Sequence, residues 1–216
     1  ATLLKGASNS TVAITYMRQD KEMQTTLTRS AIDIDAVPFY KLIDGKTGYI
    51  VLSKFNSKAF QQTKAAVVKL KEEGATQLIL DLRNNPGGLL RESIRIVNLF
   101  VPKDQVVVTT KSKVKKYNKT YKTKENPLDT EIPLVVLINE RSASASEIVS
   151  GSLQDLDRAV IVGKRSFGKG LVQRPKKLTY GTQLKVTISR YYTPSGRCIQ
   201  ALDYWNRDDK GNAVRT

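Results

Sequence analysis

Pro133-Leu134-Val135-Val136-Leu137-Ile138 runs into Arg141-Ser142-Ala143-Ser144-Ala145-Ser146-Glu147, and further on stands Gly163-Lys164-Arg165-Ser166-Phe167-Gly168-Lys169-Gly170-Leu171-Val172-Gln173. A short apolar run without alternation reads as a buried strand. The small, hydroxyl-rich turn after it opens a helical pattern that lasts to Asp155. The order is strand, tight turn, helix, then a lysine flanked by glycines.

The same alternation extends outward. Gly48–Leu52 and Gln77–Leu82 read as buried strands, with a helix over Ala59–Glu73 between them that stops at Gly74 as its C′ glycine. A second helical pattern follows Gly88, with Leu90, Ile94, Val97 and Val101 as its apolar stripe, ending near Pro102. Val106–Thr109 and Ala159–Val162 read as further strands. Strands and helices in alternation predict an α/β core with parallel pairing. Before it, Val12–Tyr16 and Met23–Thr28 alternate like strands around a turn near Arg18–Lys21. After it, Thr193-Pro194-Ser195-Gly196 and Asp208-Asp209-Lys210-Gly211 read as turns.

The chain of 216 residues contains no histidine, which excludes a Ser-His-Asp triad and most zinc hydrolases. A serine hydroxyl needs a base to become a nucleophile, and lysine can serve only as the free amine. Burial beside apolar groups or a second cation favours that form. Phe167, Leu171 and Val172 are apolar, and Gly168 and Gly170 allow close packing of the backbone, so Ser144 with Lys169 is a candidate dyad. A purely structural reading stands beside it. Ser-x-x-Glu before an apolar helical pattern is a capping box, and Ser144 with Glu147 fits one. Ser142 and Ser146 offer hydroxyls at the same turn, and a lysine between glycines also suits a solvated loop.

Asn85-Pro86-Gly87-Gly88 follows the Gln77–Leu82 strand. Paired glycines at a strand-to-helix turn can leave backbone N–H groups pointing outward, as an anion site or oxyanion hole; they can equally form a plain turn. Lys and Arg total 36 against 20 acidic residues, a net charge of +16. Eight of the lysines lie between Lys103 and Lys124, beside Tyr117 and Tyr121. That run can be a solvated hairpin with charged edges, a nucleic-acid surface, or a patch drawn to an anionic membrane. No nucleic-acid motif accompanies it, which favours the hairpin. The lone Cys198 has no internal disulfide partner, and no metal ligand set or organic cofactor is implied. No run has the length of a membrane span, and no signal-peptide pattern is present.

Four motifs occur in order: Ile79–Gly88, Ser142–Ile148, Phe167–Gln173 and Tyr191–Gly196. Together they resemble the carboxyl-terminal processing peptidases, or tail-specific proteases, over nearly the whole chain. The resemblance implies a serine endopeptidase with Ser144 as nucleophile, Lys169 as base and Gln173 orienting the lysine amine. It makes Gly88, ahead of Gly87, one oxyanion donor and Ala145 the other. It implies a layered core of the crotonase and Clp-protease kind over residues 31–216, with residues 1–30 left from a PDZ-like module. The implied partners are protein or peptide substrates with exposed C-termini, and the implied place is the periplasm or cell envelope of a bacterium. A catalytically silent peptide-binding relative is the alternative; Ser144, Lys169 and Gln173 standing together argue against it.

Overall fold

In a computed structural model, residues 2–215 are described. They divide into two compact units, 2–34 and 35–215. In the first, β1 (Thr11–Arg18) pairs antiparallel with β2 (Lys21–Thr28). Gln19 and Asp20 between them have φ of 51° and 59°, the two left-handed residues of a hairpin turn whose twist matches its strands. Arg29 ties the entry segment to the hairpin, donating to the Leu4 and Thr11 carbonyls at 2.9 Å each.

The second unit is built on two larger sheets and a small antiparallel pair of its last two strands. Its elements are β3 (Phe39–Ile43), β4 (Thr47–Val51), α1 (Ala59–Glu72), β5 (Gln77–Asp81), α2 (Leu90–Asn98), β6 (Val106–Lys111), β7 (Lys119–Lys122), β8 (Leu134–Ile138), α3 (Ala145–Asp155), β9 (Val160–Gly163), β10 (Leu171–Lys177), β11 (Gln183–Tyr192), β12 (Leu202–Arg207) and β13 (Ala213–Arg215). The first sheet has the order β3-β4-β5-β8-β9. Only β3 runs antiparallel to its neighbour, and β4, β5, β8 and β9 pair in parallel, as the apolar runs predict. The second sheet, β10-β11-β6-β7, is wholly antiparallel. The lysine-rich stretch from 103 to 124 contains its β6–β7 pair, a charged hairpin with Val107 and Val108 buried beneath.

Helix α2 packs against both α1 and α3, while α3 also meets β9 of one sheet and β6 of the other. Ser152 on α3 donates to the Val107 carbonyl of β6 at 2.7 Å, one link between helix and second sheet. Ile50, Leu78, Leu80, Val136, Val67, Leu70, Ile96, Val97, Ile148 and Leu153 are all buried in one continuous core. The parallel strands are thus covered by helices, which satisfies their apolar faces.

Three details depart from the sequence reading. Val106–Thr109 belongs to the antiparallel sheet rather than to the parallel core. The long β10–β11 hairpin was not legible, because Arg174-Pro175-Lys176-Lys177 reads as a loop; β10 tolerates Pro175 because it is an edge strand. The inward face of α2 is Glu92, Ser93, Ile96 and Val97, with Leu90 and Ile94 half-buried and Val101 beyond the helix end. Buried Glu92 accounts for the rotation: it accepts the Phe60 N–H of the first turn of α1 at 2.9 Å. Arg95 stacks 3.7 Å above the Phe60 ring and lies 3.7 Å from Glu92.

Glu92→Ala leaves the buried Phe60 N–H without an acceptor and lowers unfolding stability by about 1–3 kcal/mol, with Glu92→Gln costing less. Urea titration measures it. A change in Glu92→Ala below about 0.5 kcal/mol, the range of an ordinary surface substitution, contradicts the capping role.

Candidate active site

The strand β8 ends at Ile138, and α3 starts at Ala145, so residues 139–144 must turn the chain within one short loop. Ser142 and Ser146 are consumed by that turn. Ser142 is fully buried; its hydroxyl donates to the Leu82 carbonyl at 2.8 Å and accepts the Asn139 N–H at 2.9 Å. Ser146 is equally buried and donates to the Asn85 carbonyl at 3.0 Å. Ser144, between them, is partly exposed and has φ 57° and ψ −110°, a strained conformation for any residue with a Cβ. A serine at a strained strand-to-helix turn is pushed outward while its neighbours face in.

Glu147, one turn into α3 and 4% exposed, accepts four hydrogen bonds. Its Oε2 receives the N–H of Ser144 at 2.7 Å and the N–H of Lys169 at 2.8 Å. Its Oε1 receives the N–H of Gly168 at 2.5 Å and the Ser166 hydroxyl at 2.7 Å. The capping box expected of Ser144 and Glu147 is therefore present, and its carboxylate does more than cap. The main chains of Ser144 and Lys169 converge on one oxygen.

The glycine loop abuts the same turn. A Cβ on Gly87 would fall 2.5 Å from the Ala143 carbonyl, 2.8 Å from Ala145 N and 2.9 Å from Ser144 Cβ, and its φ is +92°. Buried Asn85 holds this approach: its amide donates to the Leu52 carbonyl at 2.7 Å and its oxygen accepts the Gly87 N–H at 2.9 Å. The Gly87 N–H is thus engaged. Gly88 bridges Phe55 in the parallel sense, through the Gly87 carbonyl and the Leu89 N–H, so its own N–H is left over. Among the described residues, neither the Gly88 N–H nor the Ala145 N–H meets an acceptor. Ala145 is also the first residue of α3, where the helix dipole adds positive potential.

The lysine loop is clamped from the other side. Ala201 N–H donates to the Gly168 carbonyl at 3.1 Å, and Gly170 N–H donates to the Gln200 side chain at 2.9 Å. A Cβ on Gly168 would lie 2.2 Å from Ala201 Cβ, and one on Gly170 2.2 Å from Gln200 N. The Thr193–Gly196 turn is fixed to the end of α3 by Asp155, which accepts the Ser195 N–H at 2.9 Å and its hydroxyl at 2.6 Å and pairs with Arg197. Burial raises the Asp155 carboxyl pKa, but these hydrogen bonds outweigh it and hold the group below the usual carboxylate range. Asn85, Glu147 and Asp155 as organisers escaped the sequence reading; the Asn-Pro-Gly-Gly and Ser-x-x-Glu spacings were the available signals for the first two.

The side chain of Lys169 is exposed, and among the described residues its amine bonds to none; no hydrogen bond joins it to Ser144. The apolar enclosure expected from Phe167 is not built here, since Phe167 is 54% exposed. Gln173 sits at a register shift in the β10–β11 pairing and lines an open groove with Tyr117, Ile188 and Ser189, with no hydrogen bond to Lys169. The structure thus gathers Ser144, Gly87, Gly88, Ala145 and the main chain of Lys169, and leaves the lysine amine and Gln173 apart.

The profile of peptidase family S41 matches residues 46–203, nearly three quarters of the sequence. The chain belongs to this family. It is 38% identical over 208 residues to a carboxyl-terminal-processing protease of Synechocystis sp., covering 94% of this chain and 48% of that protein. It is 35% identical over 198 residues to a probable CtpA-like serine protease of Staphylococcus aureus, covering 91% and 39%. The fold matches the photosystem II D1 C-terminal processing protease with a TM-score of 0.70 and 29% identity, over 97% of this chain and 55% of that one. The chain therefore spans about half the length, or less, of the curated relatives it matches. The family resemblance drawn from the four motifs holds for this S41 member.

The site geometry separates the three hydroxyls. If Ser144 is the nucleophile that the family resemblance implies, Ser144→Ala should abolish peptide hydrolysis, whereas Ser142→Ala and Ser146→Ala should keep turnover but lose roughly 1 kcal/mol of stability, since each removes a buried hydrogen bond to a carbonyl that still accepts one backbone N–H. Turnover on a denatured protein substrate, with melting curves of each variant, checks this. Full loss in Ser146→Ala with activity retained in Ser144→Ala overturns the assignment.

Proposed function

We propose that this chain is a serine endopeptidase that cleaves protein substrates near their C-termini. The convergence of Ser144 and Lys169 main chains on Glu147 Oε2 is the observation that carries this reading. Their side chains start from neighbouring backbone positions, and the lysine has four rotatable bonds with which to reach the serine hydroxyl. Hydrogen bonds of this kind often tighten only when substrate is bound.

In this mechanism the neutral Lys169 amine takes the Ser144 hydroxyl proton as the oxygen attacks the scissile carbonyl. The two unengaged N–H groups, of Gly88 and Ala145, receive the oxyanion. Collapse of the tetrahedral intermediate breaks the C–N bond, and the lysine returns its proton to the leaving amine. Water, deprotonated by the same amine, then releases the acyl group and regenerates Ser144. Gln173 orients the lysine amine once substrate has closed the site. No metal or organic cofactor takes part. The names of the similar proteins, carboxyl-terminal-processing protease and D1 C-terminal processing protease, support cleavage near a C-terminus. We further read the core as layered in the crotonase and Clp-protease manner, the β1–β2 unit as part of a PDZ-like module, and the setting as a bacterial periplasm or cell envelope. The net charge of +16 suits work beside an anionic membrane surface.

Turnover measured on an unfolded protein distinguishes this reading from that of a silent relative. Ser144→Ala, Lys169→Ala and the double variant lose activity equally, because the two groups act as one unit. Lys169→Arg does not rescue, since a guanidinium stays protonated. Near-normal proteolysis by Lys169→Arg contradicts the dyad.

A further inference from the structure

The β10–β11 hairpin is an arm. Its proximal end carries the lysine loop on one side and joins β6 on the other, but nearly every residue from 173 to 187 is exposed. The arm is charged with one sign. Residues 171–190 contain Arg174, Lys176, Lys177, Lys185 and Arg190, and no Asp or Glu. The distal half is also apolar on one face. Leu184 pairs with Lys176 and Val186 with Arg174, so with period-2 alternation Leu178, Leu184 and Val186 share a face bordered by those two cations. Leu178 is 48%, Leu184 50% and Val186 37% exposed.

At the tip the Leu178 N–H donates to the Thr182 carbonyl at 2.9 Å. This closure places Tyr180 at φ 57° with its side chain 99% exposed. Left-handed backbone is unusual for an aromatic residue, and no packing of the ring repays it. An aromatic side chain with a polar end, exposed aliphatics and cations on both faces of the hairpin are the chemistry of the water–bilayer interface. Tyrosine settles at headgroup depth, and Lys and Arg meet anionic lipids while their stems lie along apolar surface.

We infer that the tip of the β10–β11 hairpin, residues 178–186, docks this peptidase onto anionic lipid bilayers. This rests in part on the envelope setting proposed above, but not on the Ser-Lys mechanism. The arm's complete lack of acidic residues selects an anionic surface over a neutral one, and its shallow apolar tip fits insertion to headgroup depth rather than spanning. Because β10 begins two residues after Lys169, docking would hold the cleavage site at a fixed distance from the membrane and favour tails that emerge from it.

The test is flotation of the whole 216-residue chain with vesicles of pure phosphatidylcholine or of a phosphatidylcholine–phosphatidylglycerol mixture. Binding is expected at least about tenfold stronger to the anionic vesicles, and weakened by salt. Tyr180→Ser with Leu184→Ser, and separately Lys176→Glu with Lys177→Glu and Lys185→Glu, should each lower it about tenfold or more, as expected for lost interfacial anchors and reversed charges. Cleavage of a soluble substrate should be unchanged in both, which also shows that they fold. In Tyr180→Trp, emission should shift to the blue on anionic vesicles, beyond any shift of the parent's single tryptophan. Absent or lipid-independent binding overturns the inference. So does undiminished binding in both arm variants, or a change in oligomeric state instead of vesicle binding, which would assign the arm to contact between protein chains.

Discussion

The candidate site depends on one buried carboxylate. Glu147 stands 4% exposed at the start of α3 and accepts hydrogen bonds from Ser144, Ser166, Gly168 and Lys169. A polar group removed from water is costly unless its hydrogen-bonding capacity is filled, and here four donors fill it. The same bonds fix the distance between two loops that are 25 positions apart in sequence and leave β8 and β9 in parallel neighbouring strands. Everything else near the site either brings those donors to the carboxylate or keeps them there.

Close backbone contact is how the fold achieves this. Gly87 presses against residues 143–145, Gly168 and Gly170 against residues 200 and 201, and a Cβ at any of the three would overlap a neighbour. Asn85 and the Asn84–Asn139 amide pair hold the first contact, and the Asp155-anchored Thr193–Gly196 turn holds the second. Helix α3 lies between them, packed on both sheets, so the Ser144 turn at its start inherits the rigidity of the core. The Lys169 side chain and Gln173 are left outside this frame, which separates a fixed backbone from an exposed amine.

Much of this was legible in the sequence for physical reasons. Leu78-Ile79-Leu80 and Leu134–Ile138 are apolar without alternation because parallel strands are covered on both faces, wholly on one and in part on the other, and so they could be read directly. The helix over Ala59–Glu72 and its Gly74 stop were legible from spacing and from glycine's freedom at φ +100°. The β10–β11 arm was not legible: an exposed hairpin needs no buried face, so its composition resembles a loop. The site divides similarly. Ser144 and the paired glycines stand in motifs, whereas Glu147 as a bridge depends on a contact with Gly168 and Lys169 that no local pattern encodes. The apolar neighbours of Lys169 suggested enclosure, but Phe167 faces solvent, in a loop whose inward contacts are made by the backbone of Gly168 and Gly170.

Native-state hydrogen exchange in the parent chain and in Glu147→Gln tests the bridging role most directly. In the parent, the Ser144, Gly168 and Lys169 amides should be protected, although none of them bonds to another backbone group of its own helix or strand. Glu147→Gln should lower the protection of all three together by about 10- to 100-fold, the effect expected for losing charge-assisted bonds, while Leu80 in β5 stays protected. If the Ser144 and Lys169 amides change independently, or not at all, Glu147 does not couple the two loops and the account of the site is wrong.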